Sequence, residues 1–250
     1  MTYKPYLGDA ATIPMTRCQF GSWHFAISRR PKNKVDLADD YDVASRRWAR
    51  TAQHYCLDAA YRAPLITSGV AGHLAQVGPL ANVLDCGIGS GCLSVALNGV
   101  MPCPPEFHGI DLSRDMLDVA GDHMRKAGLA PKLKHADILS LPYADQTFDL
   151  VMAAHVIEHL PDPQPALAEM VRVLKPGGMM FVCITRRSFF GALIQVRWRT
   201  WAVTEQQGTG WLAACDLEQI GAQSVKLGLR AGHASTAFWA QRPTQAECVR

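Results

Sequence analysis

Val83-Leu84-Asp85-Cys86-Gly87-Ile88-Gly89-Ser90-Gly91-Cys92-Leu93 is the stretch on which the reading of this chain turns. Leu80, Ala81, Val83 and Leu84 form a short apolar run that predicts a strand, and the small and apolar residues after Gly91 predict a helix. Three glycines at alternate positions join them. Such a turn lets backbone N–H groups approach a ligand closely and aims a helix N-terminus at it.

Two nucleotide-type ligands are held by a strand, a glycine turn and a helix. The dinucleotide pattern GxGxxG would put its third glycine at 92, but that position is Cys92 and the glycine is Gly91. With Asp85 two residues before Gly87, the stretch resembles motif I of the class I S-adenosylmethionine (SAM)-dependent methyltransferases. The resemblance implies Asp85, Gly87, Gly89 and Gly91 as cofactor-binding positions.

Farther along, Glu106-Phe107-His108-Gly109-Ile110-Asp111 predicts a second strand that ends in an acid, 22 residues after Gly89. In an open parallel sheet the ligand lies at the carboxyl ends of the strands, where an acid can accept both ribose hydroxyls through its two oxygens. An acid at a strand end often only caps the next helix. Ser113 already fills that role, so Asp111 is assigned to the ribose. Residues 131–136 predict a third strand ending at Asp137-Ile138. The resemblance implies that Asp137 receives the adenine amino group, that Ile138 packs on the ring and that Leu112 closes its other face. The chemistry is consistent, since an exocyclic amine needs an acceptor and a flat ring favours apolar walls.

The fourth strand, ending at Ala154, is wholly apolar after Asp149, as a central strand should be. It leads into His155-Val156-Ile157-Glu158-His159-Leu160-Pro161-Asp162-Pro163. The first five of these match the HxxEH of some zinc peptidases, which must lie within one continuous helix. Pro161 and Pro163 forbid such a helix, so no metal site is expected. The same residues resemble the segment after the fourth strand in the ubiquinone-biosynthesis-type methyltransferases (the type 11 group), where it lines the sulfonium and the acceptor. His155 is then either a wall of the cofactor pocket or a general base, with His159 the second candidate base. Imidazole can take a proton from a phenol or carboxyl near neutral pH. A helix over 165–174, the turn Lys175-Pro176-Gly177-Gly178 and a fifth strand over 179–184 complete the resemblance.

Five βα-type units in series predict an α/β fold. The resemblance makes it a doubly wound, seven-stranded, mostly parallel sheet, the Rossmann-like methyltransferase fold, with an antiparallel C-terminal hairpin (224–229 and 234–241) and a helical N-terminal cap. The expected divisions are an irregular arm over 1–34, the cap over 35–78, a SAM-binding core over 79–242 with an inserted lid near 186–203, and a tail over 243–250. Helices are predicted from Asp36 to about Arg62 and from Pro64 to Gln76. Tyr41-Asp42-Val43-Ala44 resembles the start of the helix that lies over the SAM pocket in small-molecule methyltransferases. Tyr41 and Arg46 become candidates to cover the ligand or meet its carboxylate, the other reading being a solvated helix face with one packed tyrosine. In the arm, a loose alternation from Cys18 to Ile27 allows a short strand. The arm is a candidate to order against substrate or a second subunit, with Trp23 as a substrate contact, against the plainer reading of an arm packed on the core.

Between Arg186 and Trp201, four arginines are interleaved with large apolar residues. Phe189, Phe190, Arg197 and Trp198 are candidate substrate-pocket residues on an amphipathic lid that admits a hydrophobic acceptor or touches a membrane surface. A core-packed helix with snorkelling arginines reads the same residues equally well.

Composition sets the remaining bounds. The net charge of +3 is too small to argue for a nucleic-acid partner, and no NPPY-like tetrad follows the fourth strand. No run of about 18 apolar residues exists to cross a membrane, and the N-terminus has no signal-peptide core. Eight cysteines with no CxxC pair fit neither a zinc knuckle nor a redox motif, and suit a reducing cytoplasm. The implied function is in-line transfer of a methyl group from SAM to a hydrophobic small molecule, such as a quinone precursor, lipid or secondary metabolite, leaving S-adenosylhomocysteine (SAH). Transfer of a different group, or a non-catalytic SAM-binding or regulatory subunit, are the other readings.

Overall fold

Successive side chains of a strand enter opposite faces of a sheet, and here both faces are covered. Along β3 (Asn82–Cys86), β6 (Phe148–Ala154) and β7 (Leu174–Thr185), residues Val83, Met152 and Phe181 pack in one apolar layer while Leu84, Val151 and Val182 pack in the other. Double burial is why these segments read as continuous apolar runs rather than as alternating ones. The computed structural model describes residues 13–20, 22–29, 37, 39–43, 57–186, 200, 201, 203–226 and 233–244.

Parallel strands β4 (Glu106–Asp111) and β5 (Lys132–His135) extend the sheet on one side of β3. Beyond β7 come the antiparallel β9 (His233–Gln241) and then β8 (Glu218–Lys226). The order is β5-β4-β3-β6-β7-β9-β8, the seven-stranded, mostly parallel sheet with an antiparallel C-terminal hairpin that was expected. From β3 the chain winds first toward β4 and β5, then back to β6 on the other side. The carboxyl ends of β3, β4 and β6 therefore flank a topological switch point, where open α/β sheets bind ligands.

Six helices are described: α1 (Leu57–Thr67), α2 (Val70–Val77), α3 (Cys92–Asn98), α4 (Arg114–Lys126), α5 (Gln164–Val173) and α6 (Glu205–Ala213). Ser113 caps α4 as expected, its hydroxyl accepting the Met116 N–H at 3.0 Å. No helix among the described residues is long and apolar enough to cross a membrane.

Four local expectations need correction. Pro64 does not start a helix but lies inside α1, and the break comes at Gly69, whose φ of +78° ends the turn in the left-handed region. The arm is not irregular throughout, because β1 (Ile13–Phe20) and β2 (Trp23–Arg29) form an antiparallel hairpin. The first hairpin strand of the C-terminus begins at Glu218, six residues before Ser224, and a bulge between Glu218 and Gly221 interrupts the period by which a strand is read. The Lys175–Gly178 turn is absorbed into β7 as an irregularity in its pairing, with Gly177 at φ +77°. Of the helix expected over 36–62, residues 37, 39–43 and 57–62 are helical, and the intervening ones lie outside the described residues.

Candidate functional site

The turn after β3 carries Gly87, Gly89 and Gly91 at φ +68°, +53° and +75°. A Cβ on Gly87 would stand 2.4 Å from Val156 Cγ2, so both backbone conformation and space demand glycine there. The Gly89 N–H donates to Asp111 Oδ2 at 2.8 Å and the Ser113 N–H to Oδ1 at 2.9 Å. These two bonds clamp the glycine turn to the end of β4 and fix the Asp111 carboxylate, with lone pairs to spare on both oxygens. Burial pushes the Asp111 carboxyl up, against the backbone N–H bonds that pull it down. Asp85 lies deeper, its Oδ2 accepting the Ser94 hydroxyl at 2.7 Å. Burial raises it to about 7, outweighing that bond.

These groups line a cavity of about 580 Å³, within the roughly 300–1,000 Å³ usual for small-molecule sites. Asp85, Gly87 and Gly89 form one part of its wall, Asp111 and Leu112 a second, and Asp137 and Ile138 a third. Asp137 is held by a local turn in which Oδ1 accepts the Leu139 N–H at 3.0 Å. Gly91 is the exception among the expected positions. It does not line the cavity but starts α3, where its missing side chain admits Met124, whose Cγ would be 3.1 Å from a Cβ.

The segment after β6 closes the cavity. His155 adopts φ +59°, unusual for a residue with a side chain, and its N–H donates to the Cys183 carbonyl at 2.8 Å. Its Nδ1 lies 3.1 Å from Glu158 Oε1 and 3.0 Å from Thr185 Oγ1. His159 Nε2 sits 3.1 Å from the Tyr41 hydroxyl, with the two rings edge to face. Next to Tyr41, Asp42 accepts a hydrogen bond from the Ser113 hydroxyl. The helical turn at 39–43 thus reaches both the end of β4 and the segment after β6. Burial would pull the His155 imidazole down, but its hydrogen bonds to Cys183 and Glu158 outweigh that and take it up to about 10. Burial pushes Glu158 the other way, yet its bond to His155 holds it below the ordinary carboxylate range.

Asp85, Gly87, Gly89, Asp111, Leu112, Asp137, Ile138, His155, His159 and Tyr41 are therefore brought to one cavity. Trp23 falls on β2, while Arg46, Phe189, Phe190, Arg197 and Trp198 lie outside the described residues. Sequence reasoning missed Tyr61 of α1, a buried ring that lines the cavity 6.5 Å from the His155 ring. It missed Ser94 and Glu158 too, which orient Asp85 and His155. Among the described residues, no group of three or more His, Cys, Asp or Glu side chains is placed to hold a metal ion.

A seven-stranded, mostly parallel sheet closed by an antiparallel hairpin, with a cavity at its switch point, is the Rossmann-like methyltransferase fold. Residues 84–182 match the family described as "Methyltransferase domain". The chain is 31% identical over 173 residues to ajmaline N-methyltransferase of Rauvolfia serpentina, covering 60% of this chain and 58% of the relative. It is 35% identical over 127 residues to demethylmenaquinone methyltransferase of Lactiplantibacillus plantarum, covering 50% of this chain and 53% of the relative. The matches thus span little more than half the length of these curated relatives. A SAM-dependent methyltransferase of Thermotoga maritima shares the fold, with a TM-score of 0.57 at 18% identity over 81% of this chain and 98% of that one.

Proposed function

We propose that the protein transfers a methyl group from SAM to a hydrophobic small-molecule acceptor and releases SAH. The observation that carries this reading is the convergence on one cavity of the glycine turn, the clamped Asp111 and the Asp137-Ile138 pair. The residues present fit the cofactor. Asp111 has an acceptor for each ribose hydroxyl, Leu112 and Ile138 offer apolar faces to the adenine, and Asp137 can accept its amino group. Asp85 places a carboxylate where a cationic end favours its charged form. Bound SAM supplies a methyl carbon activated by its sulfonium. The chain's own contribution is to orient the reactants and exclude water.

His155, His159 and Tyr61 line the wall given by the segment after β6 and by α1, and we assign the acceptor to that side. The relatives named for ajmaline and demethylmenaquinone support a small organic acceptor, whether a quinone precursor, a lipid or a secondary metabolite. The experiment is titration calorimetry with SAH, followed by incubation of SAM labelled on its methyl group with an extract of small molecules. Label in an organic-soluble product is expected. Binding without transfer would favour a non-catalytic SAM-binding role, and no binding would remove the proposal altogether.

A further inference from the structure

Glu158 does not line the cavity, yet it is a fully buried acid directly behind its wall, at 1% exposure. Its Oε1 accepts the Thr185 N–H at 2.9 Å and faces His155 Nδ1 at 3.1 Å. Its Oε2 is buried with no hydrogen-bond partner among the described residues. A proton on Oε2 would leave a buried O–H unpaired, while an ionised Glu158 with one buried oxygen unpartnered favours a cation beside it. His155 is the group in contact, and the ion pair answers the need. Its ring is oriented by Nδ1, which faces both Glu158 and Thr185, and the residue lines the cavity.

We propose that Glu158 is a positioning residue that makes His155 present an N–H rather than a lone pair, so that the acceptor is bound through an anionic oxygen, as a phenolate or enolate. This rests on the reading of the cavity as a cofactor and acceptor site. It replaces the general base expected from sequence with a charge-assisted donor. The acceptor gives its proton to solvent on binding, and His155 keeps its own. A nucleophile that arrives ionised needs no base.

The surroundings divide the cavity accordingly. The groups facing His155 are Cys183 and Thr185 of β7, Tyr61 of α1 and Glu158 of its own segment, on which His159 also acts. Asp85 lies beyond Tyr61, and Asp162 stands at the exposed mouth. Burial drives the Tyr61 hydroxyl well above its ordinary value, so it adds no charge at neutral pH. The imidazole side therefore suits an anion, while the side with Asp85 and Asp111 suits a cation. Held together, the two sides favour an ion pair between cofactor and acceptor.

The test uses 4-nitrophenol, whose phenol and phenolate absorb differently, with SAH-saturated protein and protein carrying ¹⁵N-labelled histidine. Bound 4-nitrophenol should ionise at a lower pH than it does in water, and the His155 ring should keep both protons at pH 8. Glu158→Gln retains the shape and an acceptor for the Thr185 N–H. It should return His155 to ordinary titration and weaken phenolate binding about 10- to 100-fold, as loss of a charged hydrogen bond does, while SAH affinity stays unchanged. The two measurements on the parent protein decide the matter even where the variant does not fold. A single ring proton on His155 at neutral pH, a bound probe that stays protonated, or no probe binding to SAH-loaded protein would each overturn the proposal. Failure of SAH itself to bind would remove the cofactor reading instead, and the His155 titration would still decide the state of the pair.

Discussion

The two ends of the central strands treat their carboxylates differently. At the amino ends, Asp149 accepts two hydrogen bonds from Lys175 Nζ, both at 2.9 Å, and one from the Asn82 N–H at 2.9 Å. Nearby, Arg172 holds Glu169 and Asp145, and that guanidinium keeps the Glu169 carboxyl below its usual range. At the carboxyl ends, Asp85 and Asp111 are bonded, among the described residues, to a hydroxyl and to backbone N–H groups, and burial leaves both raised. One end neutralises its acids with lysine and arginine, whereas at the other Asp85 and Asp111 line the cavity without such a partner among the described residues. The same sheet thus separates a structural end from a binding end.

Substitutions of acids at the carboxyl ends should change affinity without costing stability, and those at the amino ends should cost stability and leave affinity alone. The largest effect is expected from Gly87→Val, which adds a side chain to a left-handed residue whose Cβ would stand 2.4 Å from Val156. SAH binding should fall below detection in calorimetry, and retained affinity would show that the turn does not shape the site. Asp111→Ala should weaken SAH binding by about 1.5–3 kcal/mol through loss of charged hydrogen bonds; unchanged affinity in the same titration would remove the ribose assignment.

Charge removal should then act with opposite signs at the two ends. The Asp85 carboxyl is raised in the folded chain to about 7 from an ordinary value of 3.8. Folding therefore costs more as pH climbs through that window, because the unfolded chain gives up the proton earlier. Asp85→Asn should stabilise the ligand-free protein by about 1–3 kcal/mol at pH 8 and by almost nothing near pH 4, as read from urea melts. Asp149→Asn should instead destabilise it by about 1–2 kcal/mol, discounted for a partner lysine that is partly exposed, and should leave SAH affinity intact. A loss of stability at both positions would erase the distinction between the ends.

Much of this architecture is legible in the sequence alone. The strand, glycine turn and helix at 83–93 and the acids at 111 and 137 follow local rules, because the backbone conformation and the strand-end position are written in adjacent residues. The series of βα units is legible for the same reason, whereas the seven strands and the closing hairpin are expected only from the family resemblance. The parts that escape such a reading depend on contacts distant in sequence. Tyr61 carries no motif and reaches the cavity because α1 packs against α3 and β8. Glu158 is visible within HxxEH, but its role requires Thr185, which lies 27 residues away. Gly91 misleads in the opposite direction, since an evenly spaced third glycine reads as a ligand contact whereas its place is taken up by Met124. Pro64 misleads because a proline in a helix costs about 3 kcal/mol in isolation, and tertiary packing of buried Tyr61 and Leu65 on either side overrides it.

The central proposal is that the carboxyl-end acids hold an adenosyl sulfonium at the switch point. Calorimetry with SAM and with SAH across pH 6 to 8 tests it most directly. Both should bind saturably, and SAM, the cation, should gain on SAH as pH rises through about 7 and Asp85 ionises. Absence of heat with either ligand, on protein shown to be folded, would contradict it.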